Sequence, residues 1–244
     1  MYKAGRMAPV NYNILTVINE GYAQFGKLFI NSLFENVDLS RVENIYVYDT
    51  GLSEATVTYF NYFPKVIVVK TGSDFASTGI HDEGWAANTY SKTAYLLDTL
   101  EKTGLPTLMI DSDCIFSSTF DDVLDFNVDI IACSRDREGF SRHIGSFFGA
   151  MDVEASKAFL KKWITNIQYL QENTDLKHCE SPALSKTIAE SPETTVQEAP
   201  EQIVSAVFPD ATSRIYHLKS DYYAVTIEQR LALPHAKPFT QRYL

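Results

Sequence analysis

Short apolar runs, each ending abruptly in polar residues and each followed by a stretch of helical period, govern what this chain can fold into. The runs at residues 14–18, 45–48, 66–69 and 107–110 are continuous rather than alternating, as strands buried on both faces require. Between them, residues 23–34 bring Phe25, Leu28, Phe29, Ser32 and Leu33 onto one helical face, a polar helix follows Ser53, and residues 85–102 form another helix. Strands that alternate with helices in this way predict an α/β chain with a mostly parallel central sheet flanked by helices.

The second half continues the pattern with strands over residues 128–133 and 147–151. Asp152 stands where it caps a helix whose Val153, Phe159, Leu160, Trp163, Ile164, Ile167 and Leu170 recur at amphipathic spacing. Residues 189–202 are acidic, carry two prolines and read as an exposed loop or lid. A last strand covers residues 214–218, and residues 221–244 read as an irregular tail. No boundary divides the chain. The expected organisation is a single domain over 1–244, with an N-terminal extension (1–12), a first half (13–113) ending in Asp111-Ser112-Asp113, a second half (114–220) and the tail.

Composition narrows the function. With 31 acidic against 21 basic residues the net charge is −10, which argues against a nucleic-acid-binding surface. No stretch reaches the ~20 apolar residues of a membrane helix. Cys114, Cys133 and Cys179 are scattered and form no Cys-x-x-Cys pair. With no leader-like apolar run near the start and no Asn-x-Ser/Thr acceptor, the expected location is cytoplasmic and the thiols reduced.

In an open parallel sheet ligands bind beyond the carboxyl ends of the strands, so polar residues at those ends are the first candidates: Asn19, Asp49, Thr71 and Asp111. Asp111-Ser112-Asp113 places two carboxylates on one side of an extended segment. Converging carboxylates are costly without a cation, and hard oxygen ligands suit Mg²⁺ or Mn²⁺, which also bridge to a diphosphate. His217, at the end of a late strand and two residues before Lys219, offers a nitrogen ligand beside a phosphate-binding cation. Lys92 lies on the helix before the Asp-x-Asp strand, and Tyr22 follows Asn19 closely enough to stack on a base.

Leu15-Thr16-Val17-Ile18-Asn19-Glu20-Gly21-Tyr22-Ala23 resembles the opening strand and nucleotide loop of the family 8 GT-A glycosyltransferases, the glycogenin and lipopolysaccharide galactosyltransferase group. Ser91-Lys92 with Leu96, the segment Leu108 to Asp113 followed by Phe120 to Leu124, Ile144 to Gly149, Glu180 to Leu184, and Tyr216 to Lys219 are similar to successive later motifs of that family. The likeness runs from about residue 13 to 220, with the closest matches at the Asp-x-Asp motif and the N-terminal loop.

The resemblance implies a GT-A (nucleotide-diphospho-sugar transferase) fold. It implies Asp111, Asp113 and His217 as ligands of Mn²⁺ or Mg²⁺, and Thr16, Ile18, Asn19 and Tyr22 around uridine. Lys92 and Lys219 would face the diphosphate together with Ser112, and Glu180 would lie beside the donor sugar. Asp49 is the nucleotide-site residue of more distant GT-A relatives. The late motif departs from the family by lacking its Gly and Lys-Pro-Trp after the histidine, and Glu180-Ser181 stands for Asp-Gln.

The implied activity is metal-dependent transfer of a hexose from a UDP-sugar to a carbohydrate or glycoconjugate hydroxyl, with a lean towards retention of configuration. An inverting course would need a base, for which Glu180 and Asp152 are the candidates. Three other readings share the motif: a sugar-nucleotide-binding protein without turnover, a nucleotidyltransferase, and an Asp-x-Asp phosphatase. The phosphatase would carry its motif on the first strand, and the nucleotidyltransferase a Gly-rich basic loop where Asn19-Glu20-Gly21-Tyr22 stands.

Overall fold

The computed structural model describes residues 11–75, 83–135, 139, 142–176, 178–200, 203–205, 212–218 and 226–244. Strand β1 (Tyr12–Ile18) leads through a short 3-10 turn to α1 (Ala23–Asn36), followed by β2 (Val42–Asp49), α2 (Glu54–Asn61), β3 (Val66–Lys70), α3 (Glu83–Thr103) and β4 (Thr107–Ile110). Ser53 caps α2 by accepting from the Thr56 amide. Tyr12, expected in the N-terminal extension, opens β1 and is fully buried.

The sheet has seven strands in the order β3-β2-β1-β4-β7-β6-β8, where β6 is Ile130–Ser134, β7 His143–Ala150 and β8 Val196–Pro200. Strands β3, β2, β1 and β4 are mutually parallel, and β7 runs antiparallel to both β4 and β6. The chain winds outward from β1 to β3 and then crosses back through α3 to β4 on the other side of β1. That reversal opens a crevice beyond the ends of β1 and β4, the place where such sheets bind ligands.

One apolar layer lies between the sheet and α1 and α2, with Phe29, Phe60, Ile110 and Phe147 fully or almost fully buried. Another lies between the sheet and α3, α4 (Val153–Asn173) and α5 (Glu180–Ala189), centred on Leu96, Phe148 and Trp163.

A small second sheet, β5 (Cys114–Phe116), β10 (Ile215–His217) and β9 (Val204–Ser205), sits beside the crevice with β10 central. Its outer face packs on α1 through a third cluster that includes Phe25, Leu28, Ile115, Leu218 and Leu231.

Two segments differ from expectation. Within residues 189–202, Val196–Pro200 is a sheet strand parallel to β6 rather than a lid. Its backbone completes the edge of the ladder, Ala199 is buried, and the Gln197 side chain anchors it by accepting from the Asp125 amide and donating to the Val123 carbonyl. Charged composition hid a strand whose side chains only half face solvent. The expected tail instead forms α6 (Ile227–Leu231) and α7 (Lys237–Tyr243) over α1. Leu231 and Ala236 have an apolar surface to cover there, which a free tail would lack.

Candidate functional site

Where β4 ends, the Asp111 amide donates to the Ser146 carbonyl of β7 at 2.9 Å, and a turn closed by the Cys114 amide on the Asp111 carbonyl starts β5. The register of the small sheet sets His217 opposite Cys114, and the Leu218 amide donates to the Asp113 carbonyl at 2.8 Å. His217 Nε2 therefore lies 3.2 Å from Asp113 Oδ1 and 3.9 Å from Asp111 Oδ2. One ligand atom from each of these three side chains falls within 4.8 Å of the others.

Two carboxylate oxygens and an imidazole nitrogen at this spacing fit Mg²⁺ or Mn²⁺. His217 Nδ1 is buried without a hydrogen-bond partner among the described residues, so Nε2 is the nitrogen turned into the trio.

The outer oxygens are held by two buried cations. Lys92 Nζ, delivered by α3, lies 2.6 Å from Asp111 Oδ1 and 2.9 Å from Glu180 Oε1. Burial would lower the Lys92 pKa, but the Asp111 and Glu180 charges outweigh it and keep the ammonium firmly protonated.

Arg230, on α6, donates from Nη2 to Asp113 Oδ2 and from Nε to the Leu218 carbonyl, and its Nη1 reaches the Tyr22 hydroxyl at 3.5 Å. Its guanidinium lies 4.3 Å from the Phe25 ring centre, and the residue is 1% exposed. Burial alone would raise the Asp113 carboxyl; His217 and Arg230 outweigh that and hold it well below the usual carboxylate range.

Glu180 opens α5 directly above Gly145 of β7. An ideal Cβ at Gly145 would lie 2.4 Å from the Glu180 carboxyl carbon, so only glycine lets that carboxylate pass to Lys92. The Gly145 amide donates to Ser181 Oγ at 3.2 Å, and Trp163 Nε1 donates to the Glu180 carbonyl at 3.0 Å, which ties the start of α5 to β7 and α4.

Beyond β1 and β2 the chain turns into loops. Asn19 accepts from the Tyr22 amide and donates to the Phe75 carbonyl at 2.8 Å, so its side chain shapes the loop from both ends. Asp49 accepts from the Gly51 and Leu52 amides and holds the turn after β2. Thr16 is buried with its hydroxyl unpartnered among the described residues, and Ile18 and Ser112 are buried. Tyr22 reaches Arg230, and its phenol is raised by burial and then by the Asp113 charge.

The structure thus brings together Asp111, Asp113, His217, Lys92, Glu180 and Tyr22. Lys219 lies outside the described residues. Asp152 does not join them: its carboxylate caps α4 by accepting from the Glu154 and Ala155 amides, just after Ala150, which pairs with Thr107 at the far end of β4. The cap thus lies at the end of the β4–β7 pair away from Asp111. Lys92, expected to face the diphosphate, meets the carboxylates of Asp111 and Glu180.

Arg230 was missed altogether. The signal for its helix was present as Thr226-Ile-Glu-Gln229, which forms a capping box with both reciprocal hydrogen bonds.

A seven-stranded, mostly parallel sheet with an Asp-x-Asp turn at its reversal point is the GT-A glycosyltransferase fold, and solved structures match it. The galactosyltransferase LgtC, in complex with donor and acceptor sugar analogues, superposes with a TM-score of 0.63 over 95% of this chain and 96% of its own, at 12% identity. An active-site mutant of LgtC gives 0.62 over 94% of each chain at 11% identity. The apo bifunctional glycosyltransferase WbbM gives 0.61 over 98% of this chain at 12% identity, and this chain spans about half of that longer one, 52%. No protein-family profile and no curated protein matches the chain. At these identities the likeness defines the fold. No helix among the described residues is long and apolar enough to cross a membrane.

Proposed function

We propose that this chain is a metal-dependent glycosyltransferase that moves a hexose from a UDP-sugar to a hydroxyl of a glycan, lipid-linked sugar or protein. The observation that carries the reading is the Asp111, Asp113 and His217 trio, set at the crevice where the GT-A sheet reverses. These residues would hold Mn²⁺ or Mg²⁺. When bound, the ion supplies positive charge against the leaving diphosphate.

The chain's own groups do the rest. Thr16, Ile18, Asn19 and Tyr22 line the uridine side, with Asp49 holding the neighbouring turn, and Ser112 and Lys219 attend the diphosphate. Lys92 fixes the Glu180 carboxylate relative to Asp111, beside the donor sugar, where it opposes positive charge developing at the anomeric carbon. Retention of configuration, which requires no separate base, is the course the family resemblance favours. The buried cysteines Cys114, Cys133 and Cys179, none in a disulfide among the described residues, accord with a reducing, cytoplasmic setting.

Thermal unfolding with UDP, GDP and CMP, each with and without Mn²⁺, tests the reading on the wild type and Asp113→Ala. The expected result is a rise in midpoint with UDP that needs Mn²⁺ and disappears in the variant. No shift with any nucleotide would refute the donor site and move the search to phosphatase substrates.

A further inference from the structure

Arg230 occupies a position that the trio's chemistry does not require. All three kinds of guanidinium nitrogen are engaged, by Asp113, the Leu218 carbonyl and the Tyr22 hydroxyl, and the group lies over Phe25. A cation held on so many sides does not swing out of the way. Asp113 is left with only Oδ1 to offer an ion, and Asp111 with only Oδ2, because Lys92 holds its other oxygen.

The charge balance follows. Among the described residues the cluster contains Asp111, Asp113 and Glu180 against Lys92 and Arg230, so a single negative charge is uncompensated when His217 is the neutral imidazole that ligation requires. A bare divalent ion would over-compensate it and leave net positive charge in a buried site, which is costly. A nucleoside diphosphate arriving with the ion brings at least two negative charges and removes that positive excess. Monodentate side-chain ligands also keep about half of an octahedral ion's positions open for its oxygens.

We propose that Arg230 is a positioning residue whose fixed charge makes divalent-ion binding at Asp111, Asp113 and His217 conditional on a diphosphate. The proposal rests on the reading of this trio as a metal and nucleotide site. In effect Arg230 shares Asp113 with the metal and admits the ion as a complex with its nucleotide.

The test is a Mn²⁺ titration of the full chain, followed by the electron paramagnetic resonance signal of free Mn²⁺, without UDP and with saturating UDP, the Mn²⁺ held by UDP alone being subtracted from a protein-free titration. In the wild type UDP should tighten Mn²⁺ binding by about tenfold or more, well within the span of linked sites. Arg230→Met leaves an apolar side chain beside Phe25 and removes the charge. It should tighten Mn²⁺ binding without UDP by about tenfold and shrink the UDP effect to match. Arg230→Lys, which keeps the charge, should retain most of the coupling.

Wild-type affinities equal within about threefold with and without UDP would overturn the proposal without recourse to any variant. So would folded Arg230→Met that binds Mn²⁺ no more tightly than the wild type. Coupled binding in the wild type that survives Arg230→Met unchanged sinks this proposal alone. No Mn²⁺ binding under any condition sinks the site reading with it.

Discussion

Replacing Gly145 by alanine probes the buried ion pair behind the trio. The added Cβ would lie 2.4 Å from the Glu180 carboxyl carbon and 2.5 and 2.6 Å from its oxygens, where ordinary contact is 3.4–4 Å. The carboxylate would have to retreat by about 1 Å, and it is held on the other side by Lys92 at 2.9 Å.

Two costs bracket the effect. Overpacking a tight site costs about 1–3 kcal/mol, and fully parting a buried ion pair about 3–5 kcal/mol, so partial retreat should cost about 2–4 kcal/mol. With a urea m-value of about 2–3 kcal/mol per molar, the unfolding midpoint should fall by about 1 M at unchanged m.

The decisive control is Glu180→Ala, which removes the obstructing group. In that background Gly145→Ala should cost less than about 0.5 kcal/mol, a strongly non-additive cycle. Equal costs in both backgrounds would refute the argument, since the strain would then lie in the β7 backbone rather than against Glu180.

Two further expectations concern buried charge. Lys92→Met leaves Asp111 and Glu180 facing each other without their cation, and should lower the thermal midpoint by about 10 °C through a loss of about 3–5 kcal/mol. A calorimetric midpoint within about 2 °C of the wild type would contradict the pairing. His143, buried between Ser185 and Glu198, has its pKa lowered chiefly by burial, so the folded state binds its proton later than the unfolded chain does. Stability should therefore fall as the pH drops below about 6.5, and urea curves at pH 7.5 and 5.5 should show a smaller difference for His143→Gln than for the wild type.

Much of this architecture was legible before any coordinates. Strands β1 to β4 and helices α1 to α4 announce themselves by runs and periodicities that a dozen residues contain, because burial on both faces or on one stripe leaves a local mark. Asp111 and Asp113 were equally visible, as acidic residues flanking one position at a strand end. Strand β8 was not, since a sheet edge tolerates charged side chains and its pairing partner β6 lies far away in sequence. Asp152 shows both sides: the helix it caps was legible from the spacing of the apolar face, whereas only the antiparallel run of β7 places that cap at the end of the strands away from Asp111.

By itself the sequence determined the alternating α/β pattern, the Asp-x-Asp turn and the histidine that could complete a ligand trio. Only the tertiary structure decided which charges share the crevice. Lys92 reaches Asp111 across 19 residues and Arg230 reaches Asp113 across 117, and Glu180 enters because Gly145 has no side chain to stop it. Such contacts depend on strand register and helix docking, which the whole core sets together, and a window of neighbouring residues holds no trace of them.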